Sequence, residues 1–228
     1  MNPYISAIVM TYNEVKSLDA TASELSMSLA GLGCSYEIII VDDGSSDGSA
    51  SLADSLAKSI KGVRVIRHNS NKGLGGVYST GFNNAKGDLV TFFPADGQFP
   101  ADIIKQFVSS IKNTDMVLGY LPNRKSSLIA KVLSLSEKIL YCLLFGPLPK
   151  FQGVMMFRRQ LLEKIQLKSK GRSWAVLMEL IIRTKRNGYK IISVPTQFRS
   201  RASGVSKVNN LSTVWENLTA VISLRLNF

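Results

Sequence analysis

The sequence predicts an α/β fold with a mostly parallel central sheet and helices on both of its faces. Short apolar, β-branched runs occur at residues 4–10, 37–41, 63–67 and 88–93, and each has the length of a buried strand. The segments between these runs carry apolar residues at helical spacing. Strand and helix therefore alternate over the first half of the chain, which is the pattern of a parallel sheet covered by helices on both faces.

The helices between these strands are indicated by their ends. Residues 15–32 end at two glycines, and residues 45–59 begin in a run of serine, aspartate and glycine that offers several N-caps. The glycine-rich turn 71–76 opens a third helix that continues to Ala85, and residues 100–112 form a fourth. Because ligands of such sheets bind beyond the carboxyl ends of the strands, a site is expected in the turns that follow the strands.

The second half of the chain has a less regular pattern. We expect one domain over residues 1–210, and then a C-terminal amphipathic helix over residues 211–228 that faces a membrane or a partner. The other predicted elements are a short strand at 116–119, a helix at 128–145, a strand at 154–157, a helix at 174–187 and an edge strand at 190–195 that ends in proline.

The composition limits the classes of partner. The 228 residues include 28 Lys and Arg against 16 Asp and Glu, a formal net charge of +12, which indicates an anionic partner such as nucleic acid, a membrane surface or a phosphorylated substrate. No recognition helix, RNP-like stretch or basic tail is evident, so nucleic acid is not expected. The sequence has no secretory signal and no apolar run of 18 residues, so we expect a cytoplasmic protein without a spanning helix.

Metal-binding residues are restricted to oxygen donors. His68 is the only histidine, and Cys34 and Cys142 are isolated, which excludes a zinc site of cysteines and histidines. Asp96 and Gln98 follow the fourth predicted strand in the sequence PADGQFP. A carboxylate and an amide oxygen at this edge suit Mg²⁺ or Mn²⁺, which complete their coordination with phosphate and water. An aspartate in such a turn is equally typical of a helix cap, and the spacing leaves both interpretations open.

Two further turns carry weaker signals. Asp42 and Asp43 follow the second strand, where an acidic residue can accept hydrogen bonds from a base or ribose, but DDGSSDG is also typical of a simple turn. The turn 71–76 matches neither GxxxxGK[ST] nor GxGxxG, so its glycines are expected to allow close packing of a helix on a strand. For His68 we expect a structural role at the end of a strand.

A basic loop lies near the end of the chain. Arg199, Arg201 and Lys207 surround Gly204. Such a cluster suits a diphosphate or a phosphomonoester, and a solvated basic surface is the alternative.

Six stretches of the chain occur in a characteristic order. They are TYNE at 11–14, YEIIIVDDGSSDGS at 36–49, NKGLGGVYSTGFNNAKGD at 71–88, ADGQFP at 95–100, GVMMFRR at 153–159 and RASGVSK at 201–207. Together they resemble the family 2 glycosyltransferases of the GT-A fold, and within that family the dolichyl-phosphate mannose synthase-like and polyprenyl-phosphate sugar transferases. The resemblance extends over nearly the whole chain.

The resemblance implies an inverting transfer of a sugar from a nucleotide-diphosphate donor to a polyprenyl (dolichyl-like) phosphate, with Mg²⁺ or Mn²⁺ as cofactor. It implies that Asp96 and Gln98 hold the metal on the donor diphosphate, and that Arg201 and Lys207 bind phosphates of donor or acceptor. Glu179 lies where many relatives place an acidic residue that faces the acceptor. The implied catalytic residues are Asp96, Arg201, Lys207 and Glu179. The implied nucleotide-sugar site comprises Tyr12, Glu14, Val41, Asp43, Ala95, Asp96, Gln98, Arg201 and Lys207.

The sequence departs from the family pattern at Pro94, which stands where many relatives carry the first aspartate of a DxD motif. One metal ligand is therefore missing, and a degenerate nucleotide-sugar binding module is an alternative. A second alternative is an enzyme that acts on a glycan or other hydroxyl acceptor in cell-surface polysaccharide synthesis. That acceptor needs a general base, for which Glu179 is the candidate, whereas a phosphate with a second pKa of about 6 is already ionised.

The basic charge and the helix at 128–145 predict peripheral binding to an anionic membrane surface, on its cytoplasmic face. The alternatives for this helix are packing on the core and contact with a membrane-protein partner or a second copy of the chain.

Overall fold

The computed structural model of the protein describes residues 4–122, 135, 139–169, 171–200, 219 and 222–225. Over these residues the chain forms a seven-stranded sheet with the strand order β3-β2-β1-β4-β6-β5-β7. The strands are β1 (Ile5–Thr11), β2 (Tyr36–Asp42), β3 (Val63–Arg67), β4 (Leu89–Pro94), β5 (Met116–Tyr120), β6 (Met155–Arg158) and β7 (Ile191–Pro195).

The helices occupy the connections between the strands. They are α1 (Leu18–Ala30), α2 (Ser49–Ser59), α3 (Gly73–Asn84), α4 (Ile103–Ser110), α5 (residues 139–145), α6 (Gln160–Lys164) and α7 (Ala175–Arg186). A 3₁₀ turn, Ile111–Asn113, follows α4, and residues 222–225 are helical.

The sheet is mostly parallel, as the sequence predicts. β1 pairs in parallel with β2 and β4, β2 with β3, and β5 with β7, whereas β6 runs antiparallel between β4 and β5. The parallel strands consequently have their carboxyl ends at one edge of the sheet, which we call the carboxyl edge. β7 pairs only with β5 among the described strands, in agreement with its prediction as an edge strand.

The two faces of the sheet bury separate hydrophobic cores because side chains alternate along each strand. On β1, Ala7 and Val9 belong to the core under α1, α2 and α4, whereas Ile8 belongs to the core under α3, α5 and α7. Phe92 on β4 lies in the second core, with its ring centre 4.8 Å from that of Tyr78 and 5.4 Å from that of Phe82. Full burial of one such side chain stabilises the fold by about 1.5–3 kcal/mol.

Glu37 holds the amino edge of the sheet, opposite the carboxyl edge. Its carboxylate accepts hydrogen bonds from Ser6 Oγ at 2.5 Å, from the N–H of Lys86 at 2.9 Å and from Nε of Arg64 at 2.9 Å. Burial raises the pKa of Glu37, but these hydrogen bonds outweigh the burial and leave the pKa below its ordinary value. The network ties β1, β2, β3 and the start of β4 together.

The predicted ends of several elements differ from the structure. α1 begins at Leu18 rather than at residue 15, and residues 15–17 form a turn before it; here the N–H groups of Glu14 and Val15 donate to the side chains of Ser49 and Asp47. The predicted helix 100–112 is α4 followed by the 3₁₀ turn. α6 has five residues, too few to give a helical period, and the sequence did not predict it.

Parts of two predicted helices lie outside the described residues. Residues 135 and 139–145 of the helix predicted at 128–145 are helical, and so are residues 219 and 222–225 of the predicted C-terminal helix. Among the described residues, no helix is both long and apolar enough to cross a bilayer.

Candidate active site

The turns after β2 and β4 flank the end of β1 at the carboxyl edge. The N–H of Asp43 donates to the carbonyl of Thr11 at 2.9 Å, and the N–H of Ala95 donates to the carbonyl of Met10 at 2.9 Å. The two acidic turns therefore lie on either side of one strand, as expected for neighbouring parallel strands. We call the surface formed by the ends of β1, β2 and β4 the rim.

The loop after β1 is joined to the loop after β2 by side-chain hydrogen bonds. Asn13 has a positive φ of 52°, its N–H donates to Ser45 Oγ at 2.9 Å, and its Oδ1 accepts the N–H of Ser46 at 2.8 Å. The N–H of Glu14 donates to Ser49 Oγ at 2.9 Å. This explains why TYNE and DDGSSDGS occur together: each supplies the hydrogen-bond partners that the backbone of the other needs.

Of the residues that the resemblance places around the nucleotide, only some expose a side chain at the rim. Tyr12 is 37 % exposed and Glu14 is half-buried, so both can contact a ligand. Val41 and Ala95 are fully buried, so any contact they make with a nucleotide goes through the main chain.

Asp43 is buried and directed towards the start of α3. Its Oδ1 lies 2.6 Å from Nδ1 of His68 and accepts the N–H of Lys72 at 2.8 Å, while Oδ2 accepts the N–H of Gly73 at 2.9 Å. His68 is itself buried, and its Nε2 lies 2.8 Å from Thr80 Oγ1. His68 thus has the structural role expected at a strand end, and Asp43 is held rigidly at the rim.

Asp42 points to the opposite face of the sheet. Its carboxylate lies 3.4 Å from Nε of Arg67 and accepts the N–H of Ser45 at 3.3 Å. Asp42 is completely buried. Of the two adjacent aspartates, Asp43 is therefore the one whose surroundings belong to the rim.

Asp96 and Gln98 form a tight turn at the end of β4. Oδ1 of Asp96 accepts the N–H of Gln98 at 3.1 Å, and Asp96 is 8 % exposed. This is the Asx-turn geometry in which an aspartate orders its own loop. The turn role and the metal role remain compatible, because one carboxylate oxygen can accept an N–H while the group also binds a cation.

The side-chain oxygen atoms of this turn are suitable ligands for a divalent cation that binds together with phosphates. Asp96 offers a carboxylate and Gln98 an amide oxygen, which are ligands that Mg²⁺ and Mn²⁺ accept. In the part of the chain that the structure describes, no three His, Cys, Asp or Glu side chains come together as a metal cluster. Mg²⁺ is commonly held by one or two carboxylates and by substrate phosphates, so the turn suits a cation shared with a diphosphate.

The glycines after Lys72 allow a close contact, as predicted, but with a loop rather than a strand. A Cβ on Gly75 would lie 2.2 Å from the carbonyl oxygen of Gly171, and the N–H of Gly75 donates to the carbonyl of Arg172 at 3.1 Å. The guanidinium of Arg172 also bonds Asn71. Residues 171–173 therefore pack against the turn whose N–H groups hold Asp43.

Glu179 binds residues 168 and 169, which come before this segment in the chain. The carboxylate is completely buried and accepts the N–H groups of Lys168 at 3.0 Å and Ser169 at 2.7 Å, together with Nε of Arg183 at 2.7 Å. Burial raises the pKa of Glu179, but these hydrogen bonds outweigh it and place the pKa below its ordinary value. These contacts favour a structural role over that of a general base.

The chain enters the basic loop beside the Asp96–Gln98 turn. The N–H of Arg199 donates to the carbonyl of Gln98 at 2.8 Å, and the guanidinium of Arg199 bonds the carboxylate of Glu24. Arg201 and Lys207 lie outside the described residues.

A family model for glycosyl transferase family 2 matches residues 6–166. The chain belongs to this family. The match includes every rim residue named above, and the expectation drawn from the sequence motifs is thus confirmed.

Curated relatives of this family 2 glycosyltransferase act on lipid phosphates, according to their names. This chain is 31 % identical to a dolichol-phosphate mannosyltransferase of Pyrococcus furiosus, over 96 % of this chain and 63 % of that protein. It therefore spans less than two thirds of that relative. It is 27 % identical to an undecaprenyl-phosphate mannosyltransferase of Micrococcus luteus, over 96 % of this chain and 99 % of that protein.

Solved structures share the fold of this family 2 member. Glucosyl-3-phosphoglycerate synthase of Mycobacterium tuberculosis, crystallised with Mn²⁺, UDP and glucosyl-3-phosphoglycerate, aligns with a TM-score of 0.70 at 18 % identity, covering 97 % of this chain and 80 % of that one. A mannosyltransferase of Pyrobaculum calidifontis, crystallised with GDP-mannose and Mn²⁺, aligns with a TM-score of 0.59 at 18 % identity, covering 86 % and 55 %. The GT-A fold is therefore confirmed.

Several residues that shape the site were not found from the sequence. Thr21 and Glu24 on α1 contact the two ends of the Asp96–Gln98 turn. Gly153 has a φ of +96°, and a Cβ there would lie 2.1 Å from Cζ of Phe99. Their partners are far away along the chain, and α1 otherwise reads as an ordinary amphipathic helix, so no local signal pointed to them.

Proposed function

We propose that this protein is an inverting glycosyltransferase that moves a sugar from a nucleotide-diphosphate donor to a polyprenyl phosphate. The observation that carries the proposal is the rim, where Asp43 and Asp96 flank the end of β1. Family membership and the names of the curated relatives support the choice of a lipid-phosphate acceptor.

The nucleotide is proposed to lie over the ends of β1 and β2. The exposed ring of Tyr12 offers a face for the base, and Glu14 and Asp43 offer acceptor oxygens for base or ribose hydrogen-bond donors. Asp43 is held by three donors, so it presents its one remaining lone pair, on Oδ2, in a fixed direction. A fixed acceptor favours selection of one nucleotide because the ligand must match its geometry.

The donor diphosphate is proposed to lie at the turn after β4. Asp96 and Gln98 would hold Mg²⁺ or Mn²⁺, and Arg201 and Lys207 would bind phosphate oxygens. A cation there stabilises the negative charge that develops on the departing nucleoside diphosphate. Loss of one well-placed stabilising group of this kind costs about 3–4 kcal/mol of transition-state stabilisation.

A phosphate acceptor needs no general base from the protein. The second pKa of a phosphomonoester is about 6, so its oxygen is already nucleophilic at neutral pH. It would attack the anomeric carbon from the side opposite the departing diphosphate, which inverts the configuration. Glu179, the candidate base for a hydroxyl acceptor, uses its carboxylate to hold Lys168 and Ser169, which disfavours that alternative.

Peripheral binding to an anionic membrane at its cytoplasmic face is part of the proposal. Leu135, Ile139 and Leu143 are spaced by four residues and are exposed, while Tyr141 and Phe145 pack into the core. An amphipathic helix with an apolar outer side suits the membrane interface, and the net charge of +12 favours anionic lipid. In a flotation assay, the protein should rise with anionic vesicles and Leu143→Ser should rise less. Equal recovery of both would contradict binding to the membrane through this helix face.

The transfer itself can be measured with a radiolabelled sugar. Purified protein is incubated with Mn²⁺, labelled GDP-mannose or UDP-glucose, and vesicles that contain undecaprenyl phosphate. We expect label in the organic-extractable product, and its loss in Asp96→Asn, whereas Asp54→Asn on the exposed side of α2 should retain activity. In a parallel reaction with a soluble glycan in place of the lipid phosphate, label that moves only to the glycan would favour the hydroxyl acceptor. No transfer in either reaction with nucleotide binding intact would favour a binding module.

A further inference from the structure

Helix α1 holds both ends of the turn that carries Asp96 and Gln98. The hydroxyl of Thr21 shares its one proton between the carbonyl of Ser17 at 2.9 Å and the carbonyl of Ala95, before the turn, at 3.2 Å. Oε1 of Glu24 accepts the N–H of Ala101, after the turn, at 3.2 Å. Residues three apart lie on the same face of a helix, so this face of α1 holds both ends of the turn at once.

Glu24 also reaches the middle of the turn through Arg199. Its two carboxylate oxygens accept Nη1 of Arg199 at 2.8 Å and Nη2 at 3.0 Å, a bidentate pair. The main-chain N–H of the same arginine donates to the carbonyl of Gln98 at 2.8 Å. The pair is partly exposed, so its contribution to global stability is small, but it joins Glu24 to a residue whose main chain bonds Gln98.

Aromatic packing completes this support. The ring of Phe99 lies edge-on to that of Phe198, with 5.3 Å between the ring centres. Phe99 also lies so close to Gly153 that no Cβ would fit there. The residues directly after Gln98 and directly before Arg199 are therefore packed together, which limits how the turn can move.

We propose that Glu24 is a positioning residue that sets the affinity of the Asp96–Gln98 turn for the metal–nucleoside diphosphate. The inference rests on the proposed function. A site with one carboxylate and one amide gains little binding energy from its own ligands, so its affinity depends on how well those ligands are held in place. Glu24 holds them through Ala101 and Arg199.

The test compares two glutamate-to-glutamine variants. Glu24→Gln keeps an oxygen for the N–H of Ala101 and nearly the same volume, but it removes the charge that holds the guanidinium of Arg199. Glu163→Gln is the matched control, because Glu163 forms a partly exposed pair with Arg159 at 2.6 Å on α6. Free Mn²⁺ is titrated by its electron paramagnetic resonance signal with saturating UDP or GDP, so the result does not depend on turnover.

We expect Glu24→Gln to bind Mn²⁺ about tenfold more weakly than the wild type, the lower end of the range for residues that orient metal ligands, and Glu163→Gln to bind within about twofold. Arg199→Gln should match Glu24→Gln, and the double variant should lose no more than either one, because both act through the same contact.

The outcomes separate the two proposals. If the wild type binds Mn²⁺ with a nucleoside diphosphate and Glu24→Gln binds it equally well, Glu24 is only a surface contact and this inference is overturned while the proposed function stands. If the wild type binds no Mn²⁺ with either nucleotide, the metal part of the proposed function and this inference are both overturned.

Discussion

Replacement of Glu179 by glutamine distinguishes an anchor from a general base. The carboxylate accepts hydrogen bonds from two main-chain N–H groups and from Arg183, and it is completely buried. Glutamine has nearly the same shape, but one of its two terminal atoms is an NH₂ donor. At least one of the N–H groups of Lys168 and Ser169, or Nε of Arg183, would then face another donor.

The expected loss in the free energy of unfolding follows from these contacts. A hydrogen bond to a charged group contributes about 1.5–3 kcal/mol, and a buried donor left without a partner costs about 1–3 kcal/mol. Water can reach part of Arg183, whose side chain is 18 % exposed, so the loss there is smaller. We expect Glu179→Gln to lower the free energy of unfolding by about 3 kcal/mol.

The assay is urea unfolding at pH 7 together with sugar transfer at a temperature where the variant is folded. As an anchor, Glu179→Gln loses stability but retains kcat within about tenfold, whereas loss of a general base lowers the rate by about 10²–10⁴. Glu163→Gln on α6 serves as the control for loss of a partly exposed carboxylate. A large loss of kcat at unchanged stability would refute the anchor.

Three further predictions concern other parts of the fold. Asp43→Asn should lower the free energy of unfolding by about 3 kcal/mol and weaken nucleoside diphosphate binding in calorimetry; unchanged affinity would remove Asp43 from the site. Gly153→Ala should cost about 2–4 kcal/mol in urea unfolding, because φ is +96° and Cβ would overlap Phe99; wild-type stability would contradict this packing. Glu37 has a lowered folded pKa, so its stabilisation is present above the unfolded pKa of about 4.3 and is lost as pH falls through the folded pKa. The urea midpoint should fall on acidification below about pH 4.5, and less so in Glu37→Gln; an equal fall in both would contradict the assignment.

The sequence was sufficient to predict the sheet and the rim because both depend on local patterns. Apolar runs identify β1, β2 and β4, and parallel strands necessarily end at one edge. The juxtaposition of Asp43 and Asp96 follows from that rule, without knowledge of any side-chain contact. The resemblance to the family adds the expectation that the ligands are a nucleotide-diphosphate sugar and a lipid phosphate.

Contacts that join distant parts of the chain could not be predicted in this way. Glu24 and Arg199 are 175 positions apart in the sequence, and the residues around each give no indication that the two form a pair. The family resemblance implies a catalytic role for Glu179, but its three donors come from a loop and a helix whose packing the sequence does not reveal. The sequence also could not show that Asp43 faces α3 and Asp42 the other side of the sheet.

The most direct test of the rim is to locate bound Mn²⁺ by its paramagnetic broadening of backbone amide signals in NMR, with UDP or GDP present. With the nucleotide diphosphate at the rim, the signals of Gly44 and Gly97 at the carboxyl edge should broaden first, while those of Gly62 and Gly87 at the amino edge should persist. Broadening centred on the amino edge, or on no part of the protein, would contradict the account.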